Sequence, residues 1–165
     1  MAQLAPVNGI QVDDFNDDGN LDVALCGNDY GNEVSAGRYD AMNGLVLLGD
    51  GSGKFKPQTI MQSGFYVSGD AKALITLRGA NNEFLVAASQ NNGPLKLFRK
   101  RGKSENILVK KNDLFAVINL SNGRTRKQEF YFGNGFLSQS SRFIKKSPGI
   151  KNITVTNSLG KKIVY

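Results

Sequence analysis

The stretch Asp13–Asp22, DDFNDDGNLD, places five aspartates and two asparagines in ten residues, directly ahead of the apolar run VALC. The chain around it is basic, with a net charge of +7 over 165 residues. A mid-strand position would reject such a cluster, so the stretch reads as a loop between two strands. From Asp14 it has the form D-x-N-x-D-G-x-x-D, with Asp14, Asn16, Asp18, Gly19 and Asp22 in the fixed places. A hard cation such as Ca²⁺ takes roughly six to eight oxygens at about 2.3–2.6 Å, and alternate side chains of a tight loop can converge on one. Gly19 permits the reversal that brings the two halves together. The expected ligands are Asp14, Asn16, Asp18, the main-chain carbonyl of Asn20, and Asp22. Asp13 and Asp17 fall outside the alternation and are expected to face solvent. An EF-hand is excluded, because its bidentate glutamate position is occupied by Leu25 and a strand-like run follows. Magnesium, with its smaller octahedron, suits the loop less well.

Outward from the loop, the chain alternates short apolar runs with Gly and Asx turns. NGIQVDDF (8–15), LDVALCG (21–27), GLVLLGD (44–50) and KPQTIMQ (56–62) read as four strands. AKALITLRG (71–79), FLVAASQ (84–90) and LKLFRKR (95–101) begin a second, weakly similar set. The GDGSGKF segment reads as a hairpin turn at Asp50, and GANNE stands where the first set has its acidic loop. Farther on, LFAVINL and TRKQEFYF flank an SNGR turn, and KNITVTN and KIVY flank SLGK, which predicts two hairpins. No sustained 3.6-residue periodicity is present, so little or no helix is expected. The fold class is all-β: about two four-stranded propeller-type blades plus a small antiparallel sheet or sandwich. The expected boundaries are 1–103 for the blades (about 8–62 and about 69–101) and 104–165 for the second domain. Two blades alone cannot close a propeller, so the chain is expected to be the tail of a longer one.

Charge marks the same boundary. Residues 1–95 carry five Lys/Arg against eleven Asp/Glu, a net of −6. Residues 96–165 carry sixteen against three, a net of +13. The basic half could attract an anionic surface or polymer, giving an alternative reading as an anion-binding module for polysaccharide, lipid headgroups or nucleic acid. Nucleic acid is the least favoured of these. Phe130 and Phe132 alternate with Glu129 and Tyr131, which suits a sheet with one buried face.

Other classes are thinned out by composition. There is no histidine, so His-based triads and His-ligated zinc are excluded. The single cysteine, Cys26, permits no internal disulfide and reads as a buried small hydrophobe. No apolar stretch is long enough for a membrane span. The opening MAQLAPVNG has neither a charged nor an apolar leader region, so no signal peptide is expected there. Catalysis is not expected, since no general base accompanies Ser138, Ser140 or Ser141 and no substrate cleft is evident.

DFNDDGNLDVAL (14–25) followed by LLGDGSGKFK (47–56) resembles the FG-GAP, or VCBS, repeat, the blade unit of integrin-α-type propellers. NGRTRKQEFYFGNGFLSQSS (122–141) resembles the ASPIC/UnbV domain, with Gly133, Gly135, Phe136, Leu137, Ser138 and Gln139 at its Gly-x-Gly-aromatic-Leu-Ser-Gln core. IKNITVTNSLGKKIVY (150–165) is similar to that domain's closing hairpin, and NNGPLKLFRK (91–100) to the strand leading into it. The resemblance implies calcium held by Asp14, Asn16, Asp18, Asn20 and Asp22, a non-enzymatic role in adhesion or binding of a protein or glycan, and an extracytoplasmic setting. Exposed blade edges would permit self-association.

Overall fold

The computed structural model describes residues 3–102, 105–135 and 138–165. Thirteen strands form four antiparallel sheets, none closed, and the one helix among the described residues is a single turn. The first sheet is a meander of β1 (Val7–Asp13), β2 (Asp22–Gly27), β3 (Leu45–Gly49) and β4 (Phe55–Gln58). The acidic loop therefore connects β1 to β2, with Asp13 paired to Asp22 across its neck. The second half of KPQTIMQ is not strand. It forms α1 (Ile60–Ser63), because Thr59 caps the Gln62 amide while the Gln62 side chain accepts from the Thr59 amide, and Gly64 ends the turn at φ 68°.

The second sheet contains β5 (Ala71–Arg78), β6 (Phe84–Gln90) and β7 (Lys96–Arg99), in that order. It has three strands where four were expected. After β7 the chain leaves this sheet, and β8 (Glu105–Leu108) pairs instead with β11 (Phe143–Lys146). The expected boundary at 103/104 lies outside the described residues. The remaining sheet has the order β10 (Thr125–Glu129), β9 (Asp113–Leu120), β12 (Ile150–Asn157), β13 (Lys162–Val164), and contains both expected hairpins.

Two cores result. Ala24 and Cys26 of the first sheet pack against Leu74, Phe84, Val86 and Ala88 of the second, closed by Phe65, Val67 and Phe143. The approach of β1 to β5 is set by small and amide side chains. A Cβ on Gly9 would meet Cys26 Sγ and Leu74 Cβ, both at 2.7 Å. Beside it, Gln11 donates to the Leu74 carbonyl and Asn8 to the Ala71 carbonyl, each at 2.8 Å. The other core lies between the four-stranded sheet (Ala116, Ile118, Leu120, Ile153, Val155) and the β8–β11 pair (Ile107, Ile144), a small sandwich.

Strand β11 serves both. Its alternating side chains send Phe143 into the first core and Ile144 into the second. Phe130 is half-buried against the second core, but Phe132 is exposed and lies under the Arg142 guanidinium, 4.2 Å from its carbon. Strand β10 ends at Glu129, so the alternation read through Phe132 does not continue.

Cys26 is fully buried, and burial pushes its thiol up to about 11. It should resist a thiol reagent in the native protein and react promptly in denaturant. The sign of the linkage follows: the neutral thiol favours the fold below pH 9, and that contribution disappears as pH rises through about 11. A titration of unfolding free energy over that window should show a loss of about 2–3 kcal/mol from this group.

Candidate metal centre

The loop winds on its own amides. Asp14 Oδ2 accepts from the Gly19 amide at 3.0 Å, Asn16 Oδ1 from Asp18 N at 3.0 Å, and Asp18 Oδ1 from Asn20 N at 2.7 Å. Asn16 Nδ2 also donates to Asp18 Oδ2 at 2.9 Å. Asp14 is thus folded inward, while Asn16 and Asp18 stay exposed and bond the loop's own amides two residues on, and Gly19 makes the reversal at φ 88°. Asp17 adopts φ 66°, a left-handed conformation that Asp tolerates better than most residues.

Asp22 closes the loop from β2. One of its oxygens accepts from the Phe15 and Asn16 amides at 2.8 and 3.4 Å, and the other from Gly49 on β3 at 2.9 Å. Burial pushes its carboxyl above the ordinary aspartate range, with the Asp18 charge adding to the rise and the three amides opposing it. The Asn20 side-chain oxygen accepts from Arg124 at 3.3 Å, leaving its main-chain carbonyl for another role. Asp14 is fully buried, and its Oδ1 has no hydrogen-bond partner. A buried carboxylate oxygen without a donor is costly, and a cation removes that cost.

Asp13 and Asp17 do not face solvent. Lys145, whose side chain is only 3% exposed, lies 3.0 Å from Asp17 and 3.7 Å from Asp13, and Lys100 pairs with the other Asp17 oxygen. Burial would raise the Asp17 carboxyl, but the bonds from Lys100 and Lys145 outweigh it and hold the group below its usual range. Asp13 is pushed up, burial prevailing over the Lys145 charge. Arg126 donates to the Gly19 carbonyl at 3.2 Å, and Arg124 reaches the Gly51 carbonyl. The basic half of the chain therefore supplies a clamp of four cations over the acidic loop. Individual clamp residues were not legible in the sequence, although the abrupt change of charge sign at residue 96 was their signature.

The Asp50 hairpin is a turn, as its sequence suggests. Its carboxylate, held below the usual range by the Ser52 amide and hydroxyl, also accepts from the Lys54 amide at 3.2 Å. A cleft of about 610 Å³ opens between the first two sheets, where none was expected. Its apolar walls include Phe15, Val46, Phe65 and Phe98, its rim carries Arg99, Lys100 and Arg101, and no carboxylate lines it. Gly133 takes φ 67°, and its amide is held by Gln139; Phe136 and Leu137 of the same motif lie outside the described residues.

Among the described residues no three acids, thiols or imidazoles are gathered as a ready-made metal cage. The loop's donor set includes an amide side chain and a main-chain carbonyl, so it does not rest on acids alone. Among the described residues no helix is long and apolar enough to cross a membrane. No family model, no curated protein and no solved structure matches this chain, so its likeness to the FG-GAP/VCBS and ASPIC/UnbV families rests on the residues quoted above.

Proposed function

We propose that the chain is a non-enzymatic, calcium-tied β module of propeller-blade type with a basic β domain docked on its metal loop, serving adhesion or ligand binding outside the cytoplasm. The observation that carries the calcium reading is the partnerless, fully buried Oδ1 of Asp14, at the head of a loop that Asn16 and Asp18 wind tightly through bonds to its own amides. Asp14, Asn16, Asp18, the Asn20 carbonyl and Asp22 would hold the ion. Its chemistry there is electrostatic: it offsets repulsion among the carboxylates and ties β1 to β2. Lys145 and Lys100 neutralise Asp13 and Asp17, which leaves the inner set for the cation.

The blade reading is supported by the two apolar faces of the first sheet. Ala24 and Val46 face the second sheet, while Ile10 and Val12, 57% and 52% exposed, share the opposite face with Val23 and Leu47. A sheet stacked between two neighbours carries apolar residues on both faces. The opposite face is also where a second copy would dock.

Calcium should raise the thermal midpoint, and a chelator should lower it. An ion bound only by the folded state adds RT ln(1 + [L]/Kd), about 2.7 kcal/mol at a hundredfold excess. Asp18→Ala should abolish the response. A midpoint indifferent to calcium in the wild-type chain would remove this reading.

A further inference from the structure

We propose that the seam between the Asp50 hairpin and the β9–β10 hairpin binds one tetrahedral oxyanion, a phosphate or sulfate, free or as the monoester of a small sugar. A cavity of about 240 Å³ lies there, with Lys54, Arg124 and Arg126 among its lining residues and no carboxylate. None of the three cations has an ion-pair partner among the described residues. Arg124 donates to the Asn20 side-chain oxygen and the Gly51 carbonyl, and Arg126 to the Gly19 carbonyl, all of them neutral oxygens. Each guanidinium has five N–H donors, so most stay available.

Asp50, on the same hairpin as Lys54, forms no ion pair with these cations. Asp50 is turned back onto its own hairpin, accepting from the Ser52 amide at 2.7 Å, the Ser52 hydroxyl at 2.8 Å and the Lys54 amide at 3.2 Å. The cavity also depends on a missing side chain. A Cβ on Gly51, which sits at φ 74°, would strike the Arg124 guanidinium and the Asn20 side-chain oxygen. Glycine there lets Arg124 lie across the hairpin, where it lines the cavity.

Two guanidinium groups and an ammonium, from two hairpins, offer more donors than a planar carboxylate can accept. A tetrahedral dianion has the oxygens to use them, and charge-assisted bonds are the strong ones. The volume limits any attached group to about a monosaccharide. The site requires both modules and, although Gly19, Asn20 and Leu21 of the acidic loop help line it, it uses no metal ion, so it is tested without calcium.

The test is a titration of the full chain with sodium sulfate in calcium-free buffer, chloride being adjusted to hold ionic strength constant. The expected result is saturable 1:1 binding, weakened about tenfold or more in Arg124→Gln and in Lys54→Gln. Lys151→Gln, on an exposed strand position elsewhere, should bind as the wild type does. Lys54→Gln removes no structural bond described above, so it decides the matter should Arg124→Gln fail to fold. A monosaccharide sulfate binding more tightly than sulfate would place an ester in the seam, and equal affinity would make the free ion the ligand. Absence of saturation, unchanged binding in Lys54→Gln, or an equal loss in Lys151→Gln, the mark of diffuse charge attraction, would overturn the proposal.

Discussion

Asp17→Ala should destabilise the protein by about 3 kcal/mol or more in equilibrium denaturation, far more than an ordinary loop substitution. The reason is Lys145. Its side chain is 3% exposed, and Asp17 is its closest carboxylate, with Asp13 farther off at 3.7 Å. Removing the nearer partner leaves the buried charge with Asp13 alone at 3.7 Å, and under-compensating a buried charge costs more than the pair itself contributes. The same substitution strips Lys100 of its partner. The double variant Asp17→Ala/Lys145→Met should therefore recover much of the loss, because the buried ammonium is gone and an unbranched apolar side chain fills its track. Losses that simply add would mean that Lys145 does not depend on Asp17. Calcium should still raise the midpoint of Asp17→Ala, since Asp17 lies outside the proposed ligand set.

Phe84→Ala should cost about 3–5 kcal/mol and loosen the joint between the modules. Phe84 is 1% exposed and stands where three parts of the molecule meet. Its ring lies edge-on to Phe15 of the acidic loop at 6.0 Å and to Phe143 of β11 at 5.8 Å. The Lys145 ammonium is 5.3 Å from the ring centre. The cavity left by alanine would thus open beneath the loop and beneath the strand shared by both cores. Partial proteolysis should then begin between β7 and β8 at lower denaturant than in the wild type. A loss near 1 kcal/mol would mean that the site collapses freely and that Phe84 does not join the parts.

The strands were readable where alternation and turn chemistry agreed. FLVAASQ is a strand over all seven of its residues, and both C-terminal hairpins form around the turns SNGR and SLGK. The pairing of β8 with β11 was not readable, because ENIL and FIKK lie 34 residues apart and sit within basic runs that read as solvated surface. Thr59–Gln62 reads as strand in the sequence because local apolar content hides a capping box, which acts through two side-chain bonds and not through periodicity.

At the loop, the spacing indicated a tight winding on Asp14, Asn16 and Asp18, since i to i+2 bonds are local, but of these only Asp14 is buried. It could not indicate the fate of Asp13 and Asp17, whose partner Lys145 lies more than a hundred residues away. Net charge by halves carried that information only in aggregate. Five acids gathered in ten residues are tolerable in part because β11 and the end of β7 bring lysines to two of them.

Anomalous diffraction from crystals grown with excess calcium is the sharpest test of the proposed divalent ion in this loop. One strong peak is expected about 2.3–2.6 Å from Asp14, Asn16, Asp18 and the Asn20 carbonyl, with Asp22 closing the shell directly or through water. A map with no peak there, and with Asp14 Oδ1 bonded to a protein donor or to water, would contradict it.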